Sequence, residues 1–218
     1  MFRSALVTGG ASGIGAAAVE LLRGEGCEVR SLDVATGFDV SDAAAWQDIE
    51  GVEFAFLNAG VATGASELAE VDDERYRRAL GANVDGVVFG TRRMAQVMEP
   101  GSAIVATASL AGLGAMPFDP IYTLTKHAVV GFVRAVAPQL YARGITINAL
   151  CPGFADTPIV GAELREWVAE RSIPLIPPET VAAAALTAAR SGETGRAWVV
   201  QPGREPLVYE FRGVPGPR

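Results

Sequence analysis

The stretch TGGASGIG, residues 8–15, decides the fold of this 218-residue chain. It follows a short apolar strand that begins at Ser4, and it opens a segment with helical spacing, residues 14–26. A strand, a glycine-rich turn and a helix in this order leave free N–H groups at the helix start, where a pyrophosphate can rest. The turn therefore predicts a dinucleotide site. Its residues are Gly9, Ser12, Gly13, Ile14 and Gly15.

Short apolar strands and helical segments alternate along the rest of the chain. The predicted strands lie in CEVRSLD (27–33), FAFLNAG (54–60), SAIVATAS (102–109), ITINALCPG (145–153) and GRAWVVQPG (195–203). The predicted helices cover residues 72–98, 121–142, 161–171 and 178–190. This alternation predicts an α/β fold, a Rossmann-type doubly wound parallel β-sheet with helices on both faces. We expect a single domain over residues 1–218, with residues 201–218 as an irregular C-terminal tail.

One interval is too short for a complete fold of this type. Asp33 ends the second predicted strand, and only five residues separate it from Asp39. A crossover between neighbouring parallel strands needs about a dozen residues or more. We therefore predict that the helix between the second and third strands is missing, and that any strand near Phe38 is vestigial or absent.

Composition limits the classes of partner. Half of the residues are apolar and the formal net charge is −7, which favours a domain that binds a small-molecule substrate over one that binds nucleic acid. The sequence has no apolar run that would span a bilayer and no segment typical of a secretion signal, so we expect a cytoplasmic protein without membrane contact. Cys27 and Cys151 have neither metal-ligand nor redox spacing, so no metal is expected and both are interpreted as core residues.

Asp33 indicates which dinucleotide the turn would hold. It stands at the end of the second strand, about twenty residues after the glycine turn, where a carboxylate can accept hydrogen bonds from both hydroxyls of an adenosine ribose. The carboxylate would repel a 2′-phosphate, and the next residue is Val34 rather than an arginine. We therefore predict NAD rather than NADP as the cofactor.

The only lysine of the chain, Lys126, stands four residues after Tyr122. Residues i and i+4 share one face of a helix, so both side chains are expected to project together. An ammonium group near a phenol favours the phenolate, and a helix N-terminus acts in the same direction, so we expect a lowered pKa for Tyr122. Such a tyrosine can take a proton from an alcohol or give one to a carbonyl.

Two further polar residues support this interpretation. Ser109 ends the strand before the helix of Tyr122, where its hydroxyl could hold a substrate oxygen. Asn83 lies inside a predicted helix, where asparagine is unfavourable and therefore needs an explanation.

These residues stand in the order found in the short-chain dehydrogenase/reductase family, and the chain resembles the NAD-preferring branch of that family over residues 3–200. The motifs are TGGASGIG, DV at Asp39-Val40, NAG at Asn58 to Gly60, Asn83, Ser109, YTLTK, and PG at Pro152-Gly153 followed by Thr157. The resemblance implies an oxidoreductase that interconverts a secondary alcohol and a ketone by hydride transfer, with NAD as the cofactor.

The resemblance also implies a role for each matching residue. Tyr122 would be the catalytic acid/base, Lys126 would lower its pKa and bind the nicotinamide ribose, and Ser109 would hold the substrate oxygen. Asn83 would hold a water that links Lys126 to solvent. Further cofactor contacts would come from the adenine-binding pair Asp39 and Val40, the ribose-lining stretch Asn58, Ala59 and Gly60, and the nicotinamide-reading segment Pro152, Gly153 and Thr157.

The substrate side is predicted to be largely apolar. Its candidate residues are Leu110, Leu113, Met116, Phe118, Phe154, Ile159, Val160 and Trp167. The expected substrate is a steroid-like, fatty or aryl secondary alcohol. His127 lies one helical step away from the Tyr122–Lys126 face and is interpreted as structural.

The helix that contains HAVVGFVRAVAPQLYA, residues 127–142, is apolar nearly all round, which predicts burial on two sides and a homodimer. The resemblance implies that this helix and the one before it pair across a two-fold axis. The stretch VVQPGREP lacks the Asp-Gly-Gly turn that many family members carry near a tetramer interface, which favours a dimer over a tetramer. Two other functions stay open: an epimerase or dehydratase that retains NAD on the same fold, and a non-catalytic NAD sensor.

Overall fold

The computed structural model describes residues 1–213 and contains one seven-stranded sheet. Its strands are β1 Ser4–Thr8, β2 Glu28–Leu32, β3 Phe54–Leu57, β4 Ala103–Thr107, β5 Thr146–Pro152, β6 Ala197–Val200 and β7 Leu207–Val208. They lie in the order β2-β1-β3-β4-β5-β6-β7, and every neighbouring pair is parallel except β6 with β7. The predicted doubly wound α/β fold is confirmed.

Helices cover both faces of the sheet because its central strands are apolar on both sides. The helices are α1 Gly13–Gly24, α2 Asp73–Leu80, α3 Gly86–Val97, α4 Pro120–Tyr141, α5 Ala162–Glu170 and α6 Pro178–Arg190. All residues of β3 and β4 are buried, as expected for central parallel strands. Residues of α1 and α6 pack on the face that carries Phe54 and Phe56, and residues of α3 and α4 pack on the face that carries Leu57 and Ile104. None of the helices within residues 1–213 has the length and apolar character that a bilayer span requires.

The interval after β2 lacks a crossover helix, as predicted. A short 3₁₀ turn, Val34–Thr36, follows β2, and the described residues 37–53 form turns and no strand. Phe38 and Trp46 fill this space, with their rings edge to face and the centroids 5.2 Å apart. The indole Nε1 of Trp46 donates to the Val40 carbonyl at 3.0 Å. In the absence of an outer strand, β2 forms one edge of the sheet.

The long helix predicted over residues 72–98 is present as one helical run over residues 73–97, and it contains a π-helical segment. Asp72 caps its start by accepting a hydrogen bond from the backbone N–H of Arg75 at 2.7 Å. Between α2 and α3, however, the segment Gly81–Asp85 is π-helical. Such segments are frequent at functional sites. Asn83 lies in the middle of this one, which gives a local reason for an asparagine within the helix.

The C-terminal tail also differs from the prediction. Residues 201–218 are not irregular throughout, because Leu207 and Val208 pair antiparallel with β6 and form β7. The backbone N–H of Tyr209 extends this pairing by donating to the Ala197 carbonyl at 2.8 Å. Two residues are too short a run to produce a strand pattern in the sequence. The last part of the predicted tail, residues 214–218, lies outside the described residues.

Candidate active site

The glycine-rich turn has the shape that a dinucleotide requires. Gly9 has a φ of 67° and Gly13 a φ of 51°, a region that favours glycine. A Cβ on Gly15 would lie 2.0 Å from the Gly9 carbonyl oxygen, so α1 meets the turn at a distance that only glycine allows. Ser12 is the N-cap of α1 but makes no side-chain capping bond, which leaves the N–H groups of the first helical turn available to a ligand. A pyrophosphate fits this arrangement.

Asp33 fixes the shape of this turn through its own carboxylate. Its Oδ2 accepts a hydrogen bond from the backbone N–H of Ala11 at 3.0 Å, and its Oδ1 accepts one from Ala35 at 2.9 Å. The side chain therefore ties the glycine turn to the end of β2 and caps the 3₁₀ turn that follows. A carboxylate has about four acceptor positions, so two remain for ribose hydroxyls. The spacing in the sequence does not reveal this supporting role.

The pair predicted to contact adenine is engaged in local contacts. Asp39 Oδ1 accepts hydrogen bonds from the backbone N–H of Ser41 at 2.9 Å and from its hydroxyl at 2.7 Å. Val40 is buried, and a Cβ on Gly86 would lie 2.7 Å from its Cγ2. The interval without a helix is thus packed directly on α3. The contact of Asp39 and Val40 with adenine stays a prediction.

Tyr122 and Lys126 lie together in the first turns of α4, as their spacing predicts. Lys126 Nζ is 5.3 Å from the centroid of the Tyr122 ring and donates to the Thr107 carbonyl at 2.8 Å. Only 2% of Lys126 is exposed. Ser109 follows β4, where its Oγ accepts a hydrogen bond from the backbone N–H of Ala111 at 3.1 Å and lies beside the Tyr122 phenol. The three side chains therefore converge at the carboxyl end of β4.

Burial dominates the titration of this site. The pKa of Tyr122 is raised to about 12, mainly because burial disfavours the phenolate. Ser109 lowers this pKa through a hydrogen bond, and the Asp119 carboxylate raises it. The pKa of Lys126 is lowered to about 8, because burial disfavours the ammonium. The structure thus differs from the expected lowering of the Tyr122 pKa: the ammonium is directed at the Thr107 carbonyl, and loss of solvent around the phenol outweighs its effect.

Asn83 holds the loop after β3 with its side chain. Its Oδ1 accepts from the backbone N–H of Val61 at 2.8 Å, and its Nδ2 donates to the Val61 carbonyl at 2.8 Å and to Thr125 Oγ1 at 3.0 Å. The loop passes close by at Gly60, where a Cβ would lie 2.9 Å from Asn83 Oδ1 and 3.4 Å from Lys126 Nζ. The side chain of Asn83 is therefore occupied by protein groups. The binding of a water near Lys126 by Asn83 stays a prediction.

Asn58 connects the carboxyl ends of three strands. Its backbone N–H donates to Thr8 Oγ1 at 2.9 Å, its Nδ2 donates to the Thr8 carbonyl at 3.3 Å, and its Oδ1 accepts from Thr107 Oγ1 at 3.0 Å. Ala59 adds a second backbone donor to Thr8 Oγ1 at 3.1 Å. Because Thr107 also supplies the carbonyl that holds Lys126, this stretch helps to position the ammonium. Lining of the cofactor ribose by Asn58, Ala59 and Gly60 stays a prediction.

The segment after β5 closes over the glycine turn. Gly153 follows Pro152, the last residue of β5, and its backbone N–H donates to the Val200 carbonyl at 3.0 Å. Thr157 is buried, and a Cβ on Gly13 would lie 3.0 Å from its Cγ2. The structure therefore brings two parts of the predicted cofactor site into contact, the glycine turn and the segment that contains Thr157.

Arg165 in α5 fastens this segment. Its Nε donates to the Val160 carbonyl and its Nη2 to the Thr157 carbonyl, both at 3.0 Å, and its Nη1 donates to the Asp156 carboxylate at 2.6 Å. One planar guanidinium thus binds three acceptors of the same loop. No motif in the sequence marks this contact.

Three aromatic side chains from separate segments meet on the predicted substrate side. The rings of Phe118 and Trp167 lie edge to face with centroids 4.6 Å apart, and Phe154 lies 6.3 Å from Trp167. All three are half-buried. We call these three residues the aromatic cluster. Of the other candidates, Leu110 and Leu113 pack against the core, Val160 is buried, Met116 is half-buried and Ile159 is exposed.

Three residues interpreted as structural occupy the expected positions. Cys27 and Cys151 are buried free thiols. Burial raises the pKa of Cys151 to about 12, so beside Ser109 the group is a small neutral side chain at physiological pH. His127 is on the exposed side of α4, where its Nδ1 lies 3.0 Å from the Thr123 carbonyl.

Asp119 and Thr125 belong to the site although no role is predicted for either above: Asp119 lies outside the quoted motifs, and Thr125 lies inside YTLTK without an assigned role. Asp119 Oδ1 accepts from the backbone N–H of Tyr122 at 2.8 Å, and its Oδ2 accepts from that of Thr63 at 2.7 Å. Thr125 Oγ1 donates to the Tyr122 carbonyl at 2.7 Å. The dipeptide Asp119-Pro120 before an apolar helix is an N-cap signal that does mark the first of these residues. Thr125 has no comparable signal.

Comparison with known proteins relates this site to a family. The family model described as Enoyl-(Acyl carrier protein) reductase matches residues 30–203. The chain is 34% identical over 186 residues to the 2,5-dichloro-2,5-cyclohexadiene-1,4-diol dehydrogenase of Sphingobium indicum, which covers 72% of this chain and 74% of that protein. It is 35% identical over 201 residues to the cis-4-hydroxycyclohexanecarboxylate dehydrogenase of Sinomonas cyclohexanicum, covering 78% and 81%.

A solved structure leads to the same family. The fold is similar to that of a Brucella melitensis protein described as a short-chain dehydrogenase/reductase, glucose/ribitol dehydrogenase, with a TM-score of 0.81 and 25% identity. The similarity covers 92% of this chain and 96% of that one. The two similar proteins from Sphingobium and Sinomonas are likewise named as dehydrogenases of hydroxyl compounds. The chain belongs to the short-chain dehydrogenase/reductase family and is an oxidoreductase that acts on CH–OH groups.

Proposed function

We propose that this oxidoreductase uses NAD to interconvert a secondary alcohol on a largely apolar carbon ring and the corresponding ketone. The observation that carries this proposal is the convergence of Tyr122, Ser109 and Lys126 at the carboxyl end of β4. The aromatic cluster offers flat apolar surface on the substrate side, and its member Phe118 lies just before α4. The names of the Sphingobium and Sinomonas relatives, which specify six-membered ring alcohols, support a ring substrate.

The proposed proton transfer follows from the positions of Ser109 and Tyr122. In the oxidation, the substrate hydroxyl lies between them, Ser109 orients its oxygen, and its proton passes to the Tyr122 phenolate. The C–O bond becomes C=O as the hydrogen on the same carbon leaves with its electron pair. A bound nicotinamide supplies the acceptor for this hydride, and the donor in the reverse reaction. In the reduction, the phenol of Tyr122 gives its proton to the ketone oxygen.

The residues of the cofactor site support NAD. The turn at Gly9, Gly13 and Gly15 would hold the pyrophosphate, and Asp33 has acceptor positions for the ribose hydroxyls next to it. The following residue, Val34, is 75% exposed and carries no charge that would attract a 2′-phosphate. The proposed assignments of Asp39, Asn58 and Thr157 add further contacts to the cofactor.

A homodimer through α4 is part of the proposal. Leu124 on this helix is 48% exposed, and the small residues Gly131 and Ala135, which share its face at helical spacing, are exposed too. Such a face would pack closely against a second copy. Light scattering at micromolar concentration should give twice the chain mass, and a monomer throughout would contradict this part.

The test is NADH formation with a panel of apolar ring alcohols at alkaline pH, with NAD and NADP compared side by side. Turnover with NAD that is lost in Tyr122→Phe is the expected result. Preference for NADP would contradict the assignment of Asp33. Absence of NADH formation with every alcohol of the panel, together with tight NAD binding by calorimetry, would contradict the dehydrogenase proposal. It would favour an epimerase or dehydratase that retains NAD, or an NAD sensor.

A further inference from the structure

A buried carboxylate stands directly before the catalytic helix. Asp119 is the N-cap of α4 and is only 8% exposed. Within the described residues 1–213, no lysine, arginine or histidine nitrogen lies within 4.0 Å of its carboxylate. Burying an unpaired charge is costly, so the position needs a reason beyond the capping of a helix. Asp72 shows that an exposed carboxylate suffices for capping, since it caps α2 with 63% of its side chain exposed.

Asp119 is one end of a hydrogen-bonded brace around the main chain of Tyr122. It accepts the backbone N–H of Tyr122, while Thr125 Oγ1 donates to the Tyr122 carbonyl. Thr125 in turn accepts from Asn83, and Asn83 holds both backbone groups of Val61. The peptide groups on both sides of the tyrosine are therefore held by buried side chains, which fix the position of its main chain.

The brace also reaches the loop after β3 from the other side. Asp119 Oδ2 accepts the backbone N–H of Thr63 at 2.7 Å, and Thr63 Oγ1 accepts from the backbone N–H of Ala65 at 3.3 Å. The two oxygens of one carboxylate thus join the start of α4 to the loop that carries Gly60 and Val61 beside Lys126. The same carboxylate therefore holds both this loop and the main chain of Tyr122.

The charges around Tyr122 determine what the carboxylate does to the phenol. Lys126 lies on the same helix face, its pKa lowered to about 8, and the Cys151 thiol faces the phenol from β5 and is neutral at physiological pH. Ser109 contributes a neutral hydroxyl from the loop after β4. Asp119 is the carboxylate among these groups, and its charge opposes ionisation of the phenol by raising the pKa of Tyr122.

We propose that Asp119 is a positioning residue, whose buried carboxylate fixes the main chain of Tyr122 and places a negative charge on the backbone N–H of this tyrosine. This inference rests on the proposed function, because it assigns Tyr122 as the acid/base. The Asp119 charge opposes ionisation of the phenol, so Tyr122 is a ready proton donor to a ketone at neutral pH. For the same reason the phenolate that alcohol oxidation needs forms only at higher pH. A plain helix cap would have no such effect on the reaction.

The test compares three variants of the full chain: Asp119→Asn, Asp119→Ser and Asp72→Asn. The Asn and Ser side chains retain one capping oxygen, remove the charge and lose the second acceptor, which binds the Thr63 N–H. Asp72→Asn removes the matched capping charge at α2. The measurement is kcat/KM for alcohol oxidation as a function of pH. The rising limb should move to lower pH in both Asp119 variants and should stay unchanged in Asp72→Asn. Folding of each variant is checked by circular dichroism, and Asp119→Ser serves if Asp119→Asn does not fold.

Two outcomes separate this inference from the proposed function. A folded Asp119 variant with the wild-type pH profile would overturn the inference and leave the proposed function intact. An inactive wild-type protein would contradict the proposed function. In that case the phenolate absorbance is titrated with base, and the signal of Tyr122 is taken as the difference between the wild type and Tyr122→Phe. The same difference is then measured in proteins that also carry Asp119→Asn. Ionisation at lower pH without the charge supports the electrostatic role, and equal titrations overturn it.

Discussion

Replacing Lys126 by methionine should change the pH dependence of folding in a predictable direction. Methionine keeps an unbranched side chain of similar length and removes the ammonium. The pKa of Lys126 falls from 10.5 to about 8 in the folded protein. Between these pH values the unfolded chain keeps a proton that the folded chain has lost. The free energy of unfolding of the wild type should therefore rise with pH in this window, relative to that of Lys126→Met.

The size of the effect follows from the two pKa values. A difference of about 2.5 between them corresponds to roughly 3 kcal/mol over the whole window. Between pH 7 and pH 9.5, a range that ends before most tyrosines ionise, the linkage relation predicts that the free energy of unfolding of the wild type rises by about 2 kcal/mol relative to that of the variant. The variant also leaves the Thr107 carbonyl without the hydrogen bond from Nζ. This loss changes the difference in free energy of unfolding between wild type and variant by the same amount at every pH. Only the slope with pH reports on the charge.

The assay is urea unfolding of both proteins at several pH values from 7 to 9.5. Cys27, Cys151 and the tyrosines are present in both, so their titration cancels in the difference. A wild-type minus variant difference that stays within about 0.5 kcal/mol across the range would refute the reasoning, because the ammonium would then not be desolvated in the folded state. A rise of this difference with pH confirms that burying the ammonium of Lys126 lowers the stability of the folded protein.

Three further outcomes are expected. The kcat/KM of alcohol oxidation should rise about tenfold per pH unit below the pKa of Tyr122, since only the phenolate accepts the proton, while ketone reduction stays flat near neutral pH; equal profiles for the two directions would contradict this. Asp33→Ala should lower the NAD over NADP ratio of kcat/KM by about tenfold or more, through loss of charge-assisted hydrogen bonds, and an unchanged ratio in steady-state kinetics would contradict the ribose contact. Gly112→Ala should lower the free energy of unfolding in urea by about 1–3 kcal/mol and should lower kcat, because its Cβ would lie 2.6 Å from the Lys126 carbonyl oxygen. Gly114→Ala is the matched control, since a Cβ there meets open space. Equal stability of the two variants would contradict the packing.

The fold was predictable because local and global signals agree in this chain. The glycine turn, the apolar strands and the missing crossover each follow from short patterns, and the structure confirms them. The π segment was not predictable, because Asn83 alone does not distinguish it from an ordinary helical turn. β7 was also missed: a two-residue strand, Leu207–Val208, depends on its partner β6 rather than on a pattern of its own.

The candidate site was predictable in its members and less so in its electrostatics. Spacing placed Tyr122, Lys126 and Ser109 together, and the structure brings them together. The direction of the Tyr122 pKa required knowledge of burial, which spacing does not contain. The supporting contacts of Asp119 and Arg165 arise from loops that meet only in three dimensions.

The position of β2 at the edge of the sheet has a consequence for self-association. An edge strand presents unpaired N–H and C=O groups onto which a strand of another molecule can add, as in the early steps of aggregation. β2 is only five residues long, its exposed residues include Glu28 and Arg30, and Arg30 is 3.3 Å from the Glu50 carboxylate. Charges on a short edge oppose such addition. Within the described residues, this chain has no further strand beyond β2 that would cover its edge. Glu28 and Arg30 therefore take over the protection of this edge against pairing with another molecule.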